Sequence, residues 1–269
     1  MTATADGLPV TLVDAFARRP GEGNRAAVVR LPDERPTDWL ADLARSLDQP
    51  VTVYVWQQSP DRAQLRWFAP SGELFSCGHG TLAAAHLLLP DAPDGELELA
   101  TPLGRLRADR PDGDVRISMP LVPTEPWPIE AELSEWLGVP VVEVRRSDRH
   151  GVARLAIAAD VRSVRPDLDT LATRLPTVGL AVTAPGIPPY DIVSRWFVPR
   201  HGLEDQATGT AHCLLAGLWA ERLGRTRLRA WQASANGAEF DLTVHGRELL
   251  LAGGAITVGR QFAVEQVGR

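Results

Sequence analysis

Apolar residues along the first quarter of the chain fall into short runs that alternate or cluster between turn-forming residues. TLVDAF (11–16), RAAVVRL (25–31), TVYVW (52–56) and LRWFAP (65–70) each predict a strand. The pattern then changes. From Gly80 to Leu89, GTLAAAHLLL carries no charge on any face, which predicts a helix buried all round. Residues 97–121 return to strands and turns. The segment VPTEPWPIEAEL, 122–133, is rich in proline and acid and predicts a linker. Beyond it the plan recurs, with strands at VARLAIAA (152–159) and DIVSRWFVP (191–199). A helix follows from about Thr208 through TAHCLLAGLWAERLG, and strands are expected at RLRAWQAS, AEFDLTVH and ELLLAGGAITVGR. Gly253 and Gly254 read as a bulge or kink in the last of these.

This recurrence extends to the residues. RWFAPSGELFSCGHGTLAA begins at Arg66 and RWFVPRHGLEDQATGTAHC at Arg195, a step of 129. Without a gap, that step carries Trp67, Phe68, Pro70, Leu74, Gly80 and Thr81 onto Trp196, Phe197, Pro199, Leu203, Gly209 and Thr210. Gly104 and Gly113 stand 133 residues before Gly237 and Gly246, so a short insertion separates the blocks. The chain is an internal duplication with too long a period for a solenoid. Two α+β domains are expected, each a curved sheet or barrel around one buried helix: 1–121 and 134–269, with 122–133 as linker.

Composition narrows the chemistry. Of 269 residues, 44% are hydrophobic and 23% charged, as in ordinary globular proteins. All 28 basic residues are arginine. Without lysine there is no Schiff base and no Gly-Lys-Ser/Thr phosphate loop. The net charge of −6 and scattered arginines argue against nucleic acid. The absence of a signal-peptide pattern or a membrane-length apolar run leads us to expect a cytoplasmic protein with Cys77 and Cys213 as free thiols. No Cys/His spacing matches a zinc site.

A helix's first turn offers unpaired N–H groups and positive partial charge. Gly80–Thr81 and Gly209–Thr210, each at or near a helix start, are therefore expected to face one cleft that holds a carboxylate or enolate oxygen. Helix capping alone is the plainer explanation of both pairs.

VDAF, EGNRAAVV, RWFAPSGELFSCGHGTLAAA, DIVSRWFVP, EDQATGTAHCLLAGLWAERLG and LLAGGAITV together resemble the PhzF-like, phenazine-biosynthesis branch of the diaminopimelate-epimerase fold. The resemblance implies two pseudosymmetric domains, an active site between them, no metal or organic cofactor, and proton movement on a small carboxylate-bearing substrate. Many relatives are homodimers. Carried over by position, the family's Gly-His is Gly78–His79, its acid before Thr-Gly is Asp205, its hydroxyl residue is Thr210, and its Gly-Asn is Gly23–Asn24. The proline that follows is here Arg25. The family's catalytic glutamate falls on Val51.

With that glutamate absent, His79, Asp205 and Cys77 are the candidates for proton transfer. Cys77 precedes a helix whose dipole favours a thiolate, and the fold's epimerases use cysteine at a similar position. His79 titrates in a useful range, and Asp205 sits where N–H groups keep it ionised. Packing, capping and capping again are the respective plain roles. Asn24, Gly78, Gly80, Gly209, Thr210 and Val51 are the expected substrate contacts. His86, His212 and Cys213, on helical stretches, are expected to be structural. An apolar Val51 suggests, by analogy, a double-bond shift on an alkylated cyclic amino acid of an antibiotic pathway. The competing expectation is a non-catalytic relative that binds a small acid or serves as an assembly surface.

Overall fold

The computed structural model describes residues 7–263. In chain order the elements are β1 (Leu8–Ala15), β2 (Asn24–Arg30), α1 (Thr37–Leu47), β3 (Val51–Ser59), β4 (Arg62–Ala69), β5 (Gly72–Leu74), α2 (Gly78–Leu88), β6 (Glu96–Thr101), β7 (Gly104–Asp109) and β8 (Val115–Pro120). Then come β9 (Glu125–Pro126), α3 (Glu130–Leu137), β10 (Val141–Arg146), β11 (His150–Leu155), α4 (Ala158–Ser163), α5 (Leu168–Arg174), β12 (Gly179–Pro185) and β13 (Ile192–Val198). The chain finishes with β14 (Leu203–Asp205), α6 (Gly209–Leu223), β15 (Arg227–Gln232), β16 (Ala238–His245), β17 (Glu248–Gly253) and β18 (Ala255–Ala263). None of the described helices is long and apolar enough to cross a membrane.

Among the described residues two compact units form, one from residues 7–117 with 254–263 and one from 118–253. In the first, β18 and β2 flank β1 antiparallel, β3 joins β2 in parallel, and β4 joins β3 antiparallel. Strand β4 then takes β5 antiparallel and β6 in parallel, and β7 and β8 follow antiparallel. In the second, β9 and β11 flank β10 antiparallel, β12 joins β11 in parallel, and β13 joins β12 antiparallel. Strand β13 takes β14 antiparallel and β15 in parallel, and β16 and β17 follow antiparallel. Every direction is repeated. The duplication is thus written in the hydrogen-bond ladders as well as in the residues.

The strand that answers to β9 is β18, which the sequence reading assigns to the second repeat as a continuation of β17. The structure breaks that run at Gly254, where a Cβ would meet the Ala17 carbonyl oxygen at 2.2 Å, and sends β18 to β1. Without it, β1 would expose an unpaired edge. The expected linker, 122–133, holds β9 and the start of α3. Strand character in VARLAIAA stops at Leu155, and α4 begins at Ala158.

Strand alternation sorts the side chains of each unit onto two faces. In the first unit Ala27, Val29 and Tyr54 pack with Leu40, Leu43 and Ala44 of α1. The opposite face carries α2, which packs on β1, β2 and β3. In the second unit α3, α4 and α5 supply Leu133, Leu137, Val161 and Leu171 to a cluster with Leu180, Val182 and Phe197. Helix α6 packs on β15, β16 and β17. It is apolar through Trp219, and its charges, Glu221 and Arg222, come at the end as the sequence predicts.

Candidate functional site

The hairpin before each buried helix is fixed by a repeated ion pair. Arg66 grips Glu73 and Arg195 grips Glu204, each by two hydrogen bonds of 2.7–2.8 Å. The arginines are 129 residues apart, the glutamates 131. The difference is the longer turn of the second hairpin, where Ala69 pairs with Gly72 but Val198 with Leu203. From there the step stays at 131, because α2 begins at Gly78 and α6 at Gly209. This corrects the ungapped alignment: the counterparts at the helix starts are Cys77 and Thr208, Gly78 and Gly209, and His79 and Thr210. The Gly80–Thr81 match was two residues out of register. Later turns take the step to 133, where Gly104, Gly113, Gly237 and Gly246 all have positive φ.

At the start of α2, Cys77 is the N-cap, and its Sγ accepts the Gly80 N–H at 3.3 Å. The sulfur lies 3.6 Å from His79 Nδ1 and 3.9 Å from Nε2. Both residues are buried. The sulfur thus sits at a helix start, accepting an N–H beside an imidazole. Gly80 permits this, since a Cβ there would meet Val53 Cγ2 at 2.9 Å, Cys77 Sγ at 3.0 Å and Trp67 Cδ1 at 3.1 Å.

Val53 therefore faces α2, and Val51, two residues earlier, shares that face. Val51 is fully buried and pairs in register with Ala26. Asn24, two before Ala26, lies on the same face and is 1% exposed. Gly23 before it has φ 65°, and a Cβ there would strike the Ala15 carbonyl oxygen at 2.1 Å, so only glycine fits. Arg25 points to the other face and closes a two-pronged pair on the buried Asp14, at 2.7 and 3.1 Å. The proline-to-arginine departure thus lies on the side away from α2.

At the start of α6 a polar network replaces the thiol. Thr208 donates its hydroxyl to Asp205 Oδ2 at 2.6 Å and does not cap the helix with its side chain. Asp205 Oδ1 accepts the Gln206 N–H at 3.1 Å. The fully buried Gln232 accepts the Thr208 N–H at 2.8 Å and donates to the Asp205 carbonyl at 2.7 Å and the Thr208 hydroxyl at 3.2 Å. Both donors of its amide nitrogen and its amide oxygen are engaged in fixing this loop. Gln232 is absent from the sequence reading, yet its signal was there: Leu228, Ala230 and Gln232 alternate inward along β15, and only the last is polar. Cys213 is buried in α6, where burial pushes its thiol up to about 12. Among the described residues no cluster of three His, Cys, Asp or Glu could hold a metal ion.

The first unit thus gathers Asn24, Val51, Cys77, Gly78, His79 and Gly80 around α2. The second gathers Asp205, Gly209 and Thr210 around α6.

Residues 13–260 match the PhzC-PhzF family model, described as phenazine biosynthesis-like protein. An uncharacterized isomerase of Pseudomonas aeruginosa is 39% identical over 91% of this chain and 94% of its own. The crystal structure of a PhzF-family phenazine biosynthesis protein from Enterococcus faecalis is similar with TM-score 0.89 and 30% identity, covering 96% of this chain and 99% of that one. A probable proline racemase from Agrobacterium radiobacter shares the fold alone, with TM-score 0.62 and 16% identity over 97% of this chain and 94% of that one. The fold is therefore the α+β, epimerase-like one that the resemblance implies, and the chain belongs to the PhzC-PhzF family of phenazine biosynthesis-like proteins.

Proposed function

We propose that this chain is a cofactor-independent isomerase that moves a proton, or shifts a double bond, on a small carboxylate-bearing metabolite. Relatives named as isomerases support the reaction class. The observation that carries the reading is the unlike equipment of two equivalent helix starts: a Cys77–His79 contact at 3.6 Å on α2, and Asp205 fixed by Thr208 at 2.6 Å on α6.

In this reading Asp205, an acceptor held in place, removes a proton from carbon beside the carboxylate or in conjugation with it. Helix N–H groups stabilise the enolate that develops. His79 returns a proton at the product position, with the Cys77 sulfur as its neighbour and reserve. Val51 gives the α2 side an apolar wall where relatives are similar in having a glutamate, which suits a substrate with an alkylated face. A cytoplasmic homodimer is the setting assumed, with both buried cysteines as free thiols.

One observation favours a second reading. Val51 is fully buried and cannot titrate, and in this second reading the protein binds a small acid without turning it over. Incubation in deuterated water with a panel of amino acids, cyclic imino acids and enoates, read by mass spectrometry and NMR, separates the two. The isomerase incorporates deuterium, Asp205→Asn abolishes incorporation, and His79→Ala reduces it about a hundredfold or more. Cys77→Ala then decides between thiol and imidazole as the second acid/base group. Thermal stabilisation by a panel member with no incorporation would establish the binder.

A further inference from the structure

The corrected step of 131 carries Thr81 of α2 onto His212 of α6. These two unlike side chains make the same bond. Thr81 Oγ1 donates to the Cys77 carbonyl at 2.7 Å, beside the Thr81 N–H at 3.0 Å. His212 Nδ1 lies 2.9 Å from the Thr208 carbonyl. A carbonyl can only accept, so Nδ1 carries the proton. At both helix starts the fourth helical residue reaches back and ties down the N-cap residue.

The two ties differ in what surrounds them. His212 is fully buried and its ring stacks on Phe240 of β16, with centroids 3.8 Å apart and planes at 27°. Among the described residues its Nε2 has no hydrogen-bond partner. Burial holds the ring neutral, with its pKa pushed down to about 4 against the opposing effect of the Thr208 bond. A neutral ring that is anchored by stacking, donates from Nδ1 and leaves Nε2 unused has the features of a fixed strut rather than a proton carrier. What it fixes is Thr208, whose hydroxyl holds Asp205.

We propose that His212 is a positioning residue for Asp205, acting through the Thr208 carbonyl, and that Thr81 plays the same part for Cys77. The proposal rests on the assignment of Asp205 to the reaction, but the bond itself can be tested without any substrate. Nitrogen NMR of the full-length protein is expected to show His212 protonated at Nδ1 and bare at Nε2 from about pH 5 to 8. The opposite tautomer would overturn the proposal.

Two variants separate the hydrogen bond from the packing. His212→Phe keeps a ring against Phe240 and loses the donor. His212→Asn keeps a donor near the Nδ1 position and loses the ring. Hydrogen exchange at the amides of residues 208–211 is expected to quicken at least tenfold in the Phe variant and to recover most of its protection in the Asn variant. Deuterium incorporation into the panel substrate should follow the same order, with kcat falling about tenfold or more in His212→Phe and KM nearly constant, as for a misplaced acid/base group. Wild-type exchange and turnover in His212→Phe would overturn the proposal. Altered amide exchange that Asn rescues, in a protein that turns over no panel member, would support the strut and count against the isomerase reading alone.

Discussion

Arg195 and Glu204 form a nearly dry two-pronged pair, at 2.8 and 2.7 Å, and the third guanidinium nitrogen of Arg195 donates to the carbonyls of Val161 and Val164. The guanidinium also stands over the Phe197 ring at 4.7 Å. Its repeat counterpart, Arg66 with Glu73, is wetter: the arginine side chain is 23% exposed against 9%. One inherited pair has become core in one unit and stayed near the surface in the other.

That difference sets a ranking. Arg195→Ala strands Glu204 and takes a donor from the carbonyls of Val161 and Val164, and should cost about 3 kcal/mol, whereas Arg66→Ala should cost about 1 kcal/mol or less. Urea unfolding of the two variants measures both, and equal losses would contradict the burial argument.

Gly80→Ala should destabilise by about 1–3 kcal/mol, because the new methyl has no room between Val53, Trp67 and the Cys77 sulfur. The easiest relief is to push the sulfur off its N–H. Thermal unfolding should therefore fall together with a change in the rate at which Cys77 reacts with an iodoacetamide probe.

Gln232→Leu should cost about 2–3 kcal/mol, since it leaves the Thr208 N–H and the Asp205 carbonyl without the partner they now share. Gln232→Glu keeps the acceptor but loses the amide donor to the Asp205 carbonyl. Both variants should lose deuterium incorporation more than stability would explain, as measured at a temperature where each remains folded.

Stability should fall as acid is added well before the carboxylates protonate. Burial lowers His212 and His150 to about 4 from 6.5, so the unfolded chain takes up protons that the folded chain refuses. The stabilisation is complete above pH ~6.5 and drains away between there and ~4, on the order of 3 kcal/mol for the fully buried His212. Urea midpoints at several pH values test it. The slope over this window should be clearly flatter in His212→Phe.

Residues that do the same job in both halves were legible in the sequence: the Arg-Trp-Phe strands, the helices whose first two turns are uncharged and the positive-φ glycines stand out because they occur twice. Short amphipathic helices were not. Helix α1 buries only Leu40, Leu43 and Ala44 on one stripe, and α4 and α5 span barely two turns each, so their periodicity is too brief to read against strands nearby. Register at the helix starts was misread for a physical reason too. Gly-Thr and Gly-His both satisfy a helix's first turn, and nothing in the letters reveals that the second hairpin turn is longer. Gln232 stands out as the polar member of the inward alternation in β15, but the letters do not show that its amide bonds the Asp205–Thr208 loop.

Strand β18 leaves a last consequence. Counted as repeats, β1–β9 and β10–β18, each copy sends its final strand to the first strand of the other: β9 lies on β10, and β18 lies on β1. This is the exchange that two swapped subunits make, sewn into one polypeptide. A half-length chain with this pairing would complete its sheet only by trading ends with a twin. Within one polypeptide the two copies need not match, and one helix start carries a thiol while the other carries a carboxylate network.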